Sequence, residues 1–399
     1  MRIRSAAVLA TSAVVAAVIF VACSESTNAP PAPDSLAPSF AKGGPPNKVK
    51  SVTVSPSSAV VPQGATQQLT ATVNPSTTGA TVTWSSSNSA IASVSAAGLV
   101  TGVNPGSATI SASAGGKTGR SSITVTAGPP PPGSQVLVGA GDIAVCGSTH
   151  DDATAALLDG IDGTVFTLGD NAYPNGSATD YANCYDGSWG RHKARTRPSP
   201  GNHEYNTANA SGYFSYFGSA AGTQGQGYYS YDLGDWHIIV LNSNTNCSTI
   251  SCAAGSAQEQ WLRQDLAANT KSCTLAYWHH PRFNSGAAHG NSTAVGPFWD
   301  ALYEYNAEIV LNGHEHIYER FAPQTPNAVA DPTRGIREFV VGTGGASHYT
   351  FGTIKANSEV RNGTTDGVLK LTLRAGGYDW AFVPASGGTF TDSGSGTCH

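Results

Sequence analysis

Glu308-Ile309-Val310-Leu311-Asn312-Gly313-His314-Glu315-His316 joins an apolar run of strand length to a pair of imidazoles. The run is short and apolar throughout, as in a strand covered on both faces. His314 and His316 stand two residues apart on an extended segment and so face the same way. Upstream the arrangement recurs. Val136-Leu137-Val138 precedes Gly141-Asp142, Thr164-Val165-Phe166-Thr167-Leu168 precedes Gly169-Asp170-Asn171-Ala172-Tyr173, and Leu275-Ala276-Tyr277-Trp278 precedes His279. A further motif, Gly201-Asn202-His203-Glu204, lies between them. Singly, each motif has an ordinary reading as a turn, a helix cap or an interior histidine. Together they predict a convergence, because ligands gather outside the carboxyl ends of strands in open α/β sheets. The side chains supplied are oxygen and nitrogen donors, enough to hold two metal ions side by side.

The remainder of the chain frames this region. Its 399 residues leave room for two or three domains. A net charge of −5 with 12% charged residues excludes the basic stripe of a nucleic-acid binder. At the N-terminus Arg2 and Arg4 precede an apolar run from Ala6 to Ala22, the pattern of a signal peptide over residues 1–22. Phe20-Val21-Ala22-Cys23 resembles a bacterial lipobox, which implies a lipid on Cys23 and a membrane partner. Plain secretion and a retained anchor are the alternatives, so the protein is expected to be exported. Residues 23–46, rich in Pro, Ser and Ala, read as a disordered tether.

Apart from Cys23, the cysteines are Cys146, Cys184, Cys247, Cys252, Cys273 and Cys398. An even number in an exported chain predicts up to three disulfides. Cys146 with Cys184 is the preferred pair, since both follow metal motifs; the other pairings stay open. No CxxC pair supports a structural zinc site.

Residues 47–127 carry short β-rich runs spaced by turn residues, the pattern of a β-sandwich. Val82-Thr83-Trp84-Ser85-Ser86-Ser87 followed by Gly98-Leu99-Val100-Thr101-Gly102 resembles the bacterial Ig-like group 2 module. It holds no chemistry and is read as a spacer, with cell-surface or polysaccharide contact as the functional alternative. Residues 128–134 form a Pro-rich linker. From 135 to 356 strands alternate with helical text: Ser256-Ala257-Gln258-Glu259 is a capping box, and Pro297-Phe298-Trp299 opens another helix. Residues 357–399 read as a C-terminal β extension, with Val368–Leu373 as a final strand.

The order Gly-Asp, Gly-Asp-x-x-Tyr, Gly-Asn-His-Glu, His and Gly-His-x-His resembles the calcineurin-like metallophosphoesterases. Tyr173 and the run Gly313-His314-Glu315-His316-Ile317-Tyr318-Glu319-Arg320 narrow the resemblance to the purple acid phosphatase-like branch. It implies an α/β sandwich of two mixed sheets flanked by helices. One metal would be held by Asp142, Asp170, Tyr173 and His316, the second by Asp170, Asn202, His279 and His314. Where that family usually has Asp-x-Gly, this chain has Asp142-Ile143-Ala144.

The residue types suit this chemistry. A bridging group needs the two equivalent oxygens of a carboxylate, here Asp170. A phenol with pKa ~10 ligates as phenolate, which favours Fe(III) at Tyr173, paired with a divalent Fe, Zn or Mn. The expected reaction is hydrolysis of phosphate monoesters by direct attack of metal-bound hydroxide. Asn202, His203 and His289 would bind substrate, and His203 and His289 would be catalytic; His289 lies ten residues beyond His279, as that family's outer histidine does. The plain alternative for His289 is a solvated loop residue. Glu315, Tyr318 and Arg320 read as supporting groups, and His280 as packing rather than a ligand. A phosphodiesterase or nucleotidase would use the same centre. A surface-binding protein with an inactive phosphoesterase domain is the rival from another class.

Overall fold

The computed structural model describes residues 48–76, 80–103, 106–126 and 133–399. The expected signal segment, Cys23 and the tether lie outside the described residues, as does most of the Pro-rich linker. Among the described residues no helix is long and apolar enough to cross a membrane.

Residues 48–126 are all β. Ser58–Pro62, Lys117–Thr126, Gly106–Ala114 and Thr83–Ser86 form a four-stranded sheet, and Thr66–Gln68, Leu99–Gly102 and Ala92–Val94 a three-stranded one. Ser51–Ser55 pairs with Thr70–Asn74. Buried and exposed residues alternate along Lys117–Thr126, as the two-residue period of a half-buried strand requires. Val61, Leu69, Val100, Ile110 and Ile123 fill this module's own core.

The larger part holds two mixed sheets, as the resemblance implies. The first runs, in spatial order, Thr196–Ser199, Thr164–Leu168, Gln135–Ala140, Gly367–Arg374, Gly377–Pro384 and Ser393–Thr397. Its first three strands are parallel and the rest antiparallel. Tyr229–Leu233, Trp236–Val240, Cys273–Tyr277, Ile309–Asn312, Arg337–Val341, Tyr318–Phe321 and Ser358–Asn362 make up the second. Successive residues of its parallel strands serve opposite cores. Ile238, Leu275, Ile309 and Phe339 face the first sheet, while Ile239, Ala276, Val310 and Val340 join Leu262, Leu266, Phe298 and Trp299 of the covering helices. That double burial explains why these strands read as unbroken apolar runs.

Two local readings need correcting. Gly367–Arg374 pairs with Gln135–Ala140 in the middle of its sheet, so Val368–Leu373 is not a final strand; Gly377–Pro384 and Ser393–Thr397 follow it. Its buried residues alternate with half-buried ones from Leu369 on, whereas Gln135–Ala140 is buried without a break from Leu137 to Ala140. In the helix Ala257–Ala268 the Ser256 side chain accepts from Glu259 N–H, but Glu259 reaches back to Gly255 N–H rather than closing the box. Its other oxygen is taken by Arg263 one turn on. Pro297 stands in the first turn of Gly296–Glu304, as expected.

Candidate metal centre

Four of the predicted donors follow their strands at the same interval. The strands end at Ala140, Leu168, Tyr277 and Asn312, each two residues before Asp142, Asp170, His279 and His314. The chain must turn sharply there, and Asp142, Asp170 and His314 take positive φ values of 60°, 48° and 69°. Such backbone is uncommon outside glycine and clusters at functional sites. Gly169 belongs to the same turn: with φ +83°, a Cβ on it would fall 2.7 Å from Gly201 Cα and from His279 Nδ1.

The donors meet in two overlapping groups. Tyr173 Oη lies 3.2 Å from Asp142 Oδ1, 3.3 Å from Asp170 Oδ2 and 3.1 Å from His316 Nε2. His279 Nε2 lies 3.0 Å from Asn202 Oδ1, 3.1 Å from His314 Nδ1 and 3.3 Å from Asp170 Oδ2. Asp170 belongs to both. His280, read as packing, has a ring nitrogen within 4.8 Å of those of His279 and His314, and its Nδ1 is 2.8 Å from Ser243 Oγ.

Hydrogen bonds fix which nitrogens are free. His279 Nδ1–H donates to the Leu168 carbonyl at 2.7 Å, and His316 Nδ1–H to the Ser347 carbonyl at 2.7 Å. In the neutral ring each Nε2 therefore turns a lone pair inward, the arrangement common among metal-ligating histidines. His279 Nε2 and Asn202 Oδ1 are then two acceptors 3.0 Å apart, a contact that needs a cation or a proton between them. The donor set fits a dinuclear centre on this observation.

Electrostatics favour positive charge at this spot, from a cation or from a proton on His279. Burial opposes charge on both Asp170 and His279, yet each stabilises the other: Asp170 is held below the usual carboxylate range, and His279 is raised to about 9. Burial, then Asp142 and Asp170, push the Tyr173 phenol well above its ordinary value. A multivalent cation among these groups would reverse that preference.

Two half-exposed histidines flank the centre. His203 packs its ring on Tyr173 at 4.5 Å, donates from Nδ1 to the Pro174 carbonyl and places Nε2 3.8 Å from Asp170. The His289 ring lies 4.0 Å from that of His314. All nine predicted site residues are thus brought to one end of the strands.

Sequence reasoning passed over the groups that hold this set. Glu204, fully buried, accepts from the backbone N–H of Asp170, Asn171 and Gly201 and from Tyr181 Oη. It was visible as the last residue of Gly201-Asn202-His203-Glu204, but its reach to Asp170 was not. Tyr349 stacks on His316 with ring centroids 4.1 Å apart and planes 10° from parallel; nothing in the sequence marked it. Cys146–Cys184 forms the preferred disulfide, joining the segments beyond Asp142 and Tyr173; Cys247–Cys252 and Cys273–Cys398 are the other two.

Comparison with known proteins decides the family. Residues 139–318 match the calcineurin-like phosphoesterase family model, and residues 48–127 match the bacterial Ig-like domain (group 2). Residues 139–318 are a calcineurin-like phosphoesterase domain. Purple acid phosphatase 15 of Arabidopsis thaliana is 34% identical over 123 residues, 30% of this chain and 22% of that protein. Purple acid phosphatase 23 of the same plant is 29% identical over 177 residues, 40% of this chain and 37% of that protein. This chain therefore spans well under half the length of either relative. The phosphoesterase fold is shared with purple acid phosphatase PPD1 from yellow lupin, at 17% identity and a TM-score of 0.55, covering 83% of this chain and 67% of that one.

Proposed function

We propose that this protein hydrolyses phosphate monoesters at a dinuclear metal centre, outside the cytoplasm. The carrying observation is the convergence of metal-ligating atoms, with His279 Nε2 within 3.3 Å of Asn202 Oδ1, His314 Nδ1 and Asp170 Oδ2, and Asp170 shared with the group around Tyr173. Asp142, Asp170, Tyr173 and His316 would hold one ion, and Asp170, Asn202, His279 and His314 the other. Tyr173 favours Fe(III) in the first position, with divalent Fe, Zn or Mn in the second. The ions would supply charge neutralisation and a nucleophile activated near neutral pH. Asn202, His203 and His289 bind the phosphoryl oxygens. His289 delivers a proton to the departing oxygen, a contribution of roughly 10²–10⁴ in rate, while His203, tied to Pro174 through Nδ1, orients the ester through Nε2.

Three disulfides support an oxidising compartment. Export through residues 1–22, with a lipid on Cys23, is the localisation we infer, and surface contact by the Ig-like module is its accessory role. Metal analysis of wild type and Asp170→Asn, with a panel of mono- and diesters, tests the reading. We expect two ions per wild-type chain, preference for monoesters, and loss of metal together with more than about 100-fold in kcat/KM in the variant, a deficit of about 3 kcal/mol in transition-state stabilisation. Full turnover by Asp170→Asn defeats the bridging assignment; preference for diesters replaces the substrate class.

A further inference from the structure

The loop from Arg282 to His289 is held in an unusual way. Glu338, Glu319 and Glu315 are all fully buried, and each accepts backbone N–H groups from this loop. Glu338 takes those of Arg282 and Phe283, and Glu319 takes that of Ser285. Glu315 takes Ala288 N–H at 2.9 Å, His289 N–H at 3.1 Å and the His289 ring Nδ1–H at 3.2 Å. Gly286 makes room for the last carboxylate, since a Cβ there would fall 2.0 Å from Glu315 Oε1. Ala287 N–H also donates to the Thr350 carbonyl, closing the loop from its outer side.

From this geometry we infer that Glu315 is a positioning residue for His289, acting on the leaving group through that ring. By accepting from Nδ1–H it fixes ring orientation and proton placement, so Nε2 is the nitrogen presented to the substrate. A histidine on a glycine- and alanine-rich loop would otherwise sample several rotamers, and misplacement by about 1 Å can cost on the order of 100-fold. A carboxylate suits this role and an amide does not. Glutamine at 315 would turn its NH₂ toward either Ala288 N–H or the two His289 donors, so one donor must swing away. This inference rests on the reading of His289 under the proposed function.

The test uses the metal-loaded, full-length protein and aryl phosphates spanning a range of leaving-group pKa. His289→Ala should slow the least activated esters about 100-fold and steepen the dependence of log kcat on leaving-group pKa. Glu315→Gln should steepen it in the same sense, with about a 10-fold loss on those esters and KM nearly unchanged. The double variant should match His289→Ala alone within about 2-fold, as expected for groups that act as a unit. Gly286→Ala, which displaces the carboxylate without altering its chemistry, should behave as Glu315→Gln does. The ¹⁵N resonances of His289 in zinc-loaded protein report directly on the ring, and Glu315→Gln should move the proton-bearing signal away from Nδ1. Wild-type leaving-group dependence in Glu315→Gln overturns the inference, as does equal loss on every ester with loss of metal. If His289→Ala leaves the dependence unchanged, the proton-delivery role of His289 falls, and unaltered His289 ¹⁵N shifts in Glu315→Gln then overturn the positioning role too.

Discussion

Tyr173 shows how much a single side chain can depend on its surroundings. In the protein alone, burial and two carboxylates hold its phenol neutral, while Fe(III) would take it as phenolate. The wild-type protein loaded with iron is therefore expected to show a visible charge-transfer band that Tyr173→Phe loses; full iron without colour in the wild type would remove the phenolate from the ligand set. Glu308 poses a different question away from the centre. It is 2% exposed and accepts from Thr274 N–H and His399 N–H. Burial, only partly offset by these bonds, raises its pKa from 4.5 to about 7. A raised carboxyl contributes stability that is present below its unfolded pKa and lost as pH rises through the folded one. Between pH 5 and 8 the wild type should thus lose on the order of 2–3 kcal/mol relative to Glu308→Gln. Thermal melts across that range measure it, and a constant difference between the two proteins would rule out a buried proton.

Among the elements, the strand ends do most of the positioning. Residues from Asp142 to His316 meet because, in each of the two sheets, a pair of parallel strands ends within one residue of register and the donor follows two residues later. Disulfides add covalent ties, Cys273–Cys398 at the start of one of these strands and the other two outside them. Cys146–Cys184, Cys247–Cys252 and Cys273–Cys398 close separations of 38, 5 and 125 residues. If restriction of the unfolded chain dominates, replacing each pair with serine should cost roughly 4, 2 and 5 kcal/mol respectively. Chemical denaturation of the three double variants gives the ranking, and a largest loss at Cys247–Cys252 would contradict it. The C-terminal strands show the limit of reading elements from text. Gly367–Arg374 has alternating burial and a clear strand pattern, yet its place beside Gln135–Ala140 depends on a pairing more than two hundred residues apart.

For the whole molecule, the cores are the informative feature. One hydrophobic cluster fills the Ig-like module, and two others lie on the two faces of the seven-stranded sheet. A module with its own core can be removed without unfolding its neighbour. Residues 133–399 produced alone should keep their secondary structure, bind the same number of metal ions and match the full-length protein within about 3-fold on the proposed ester substrates, a change below 1 kcal/mol. Circular dichroism, metal analysis and kinetics check this; loss of metal on truncation would show that the Ig-like module supports the centre.

The sequence by itself determined the fold class and the strands behind the motifs, and it singled out the candidate donors and a preferred Cys146–Cys184 pairing. Those features are written locally, in apolar runs, turn residues and side chains whose chemistry is the same wherever they sit. Only the tertiary structure decided the order of strands in each sheet, the disulfide connectivity, the inward Nε2 of His279 and His316, and the contacts of Glu204, Glu315 and Tyr349. Each of these depends on which distant backbone carbonyl, N–H group or ring is brought alongside, and no spacing along the chain encodes that neighbour.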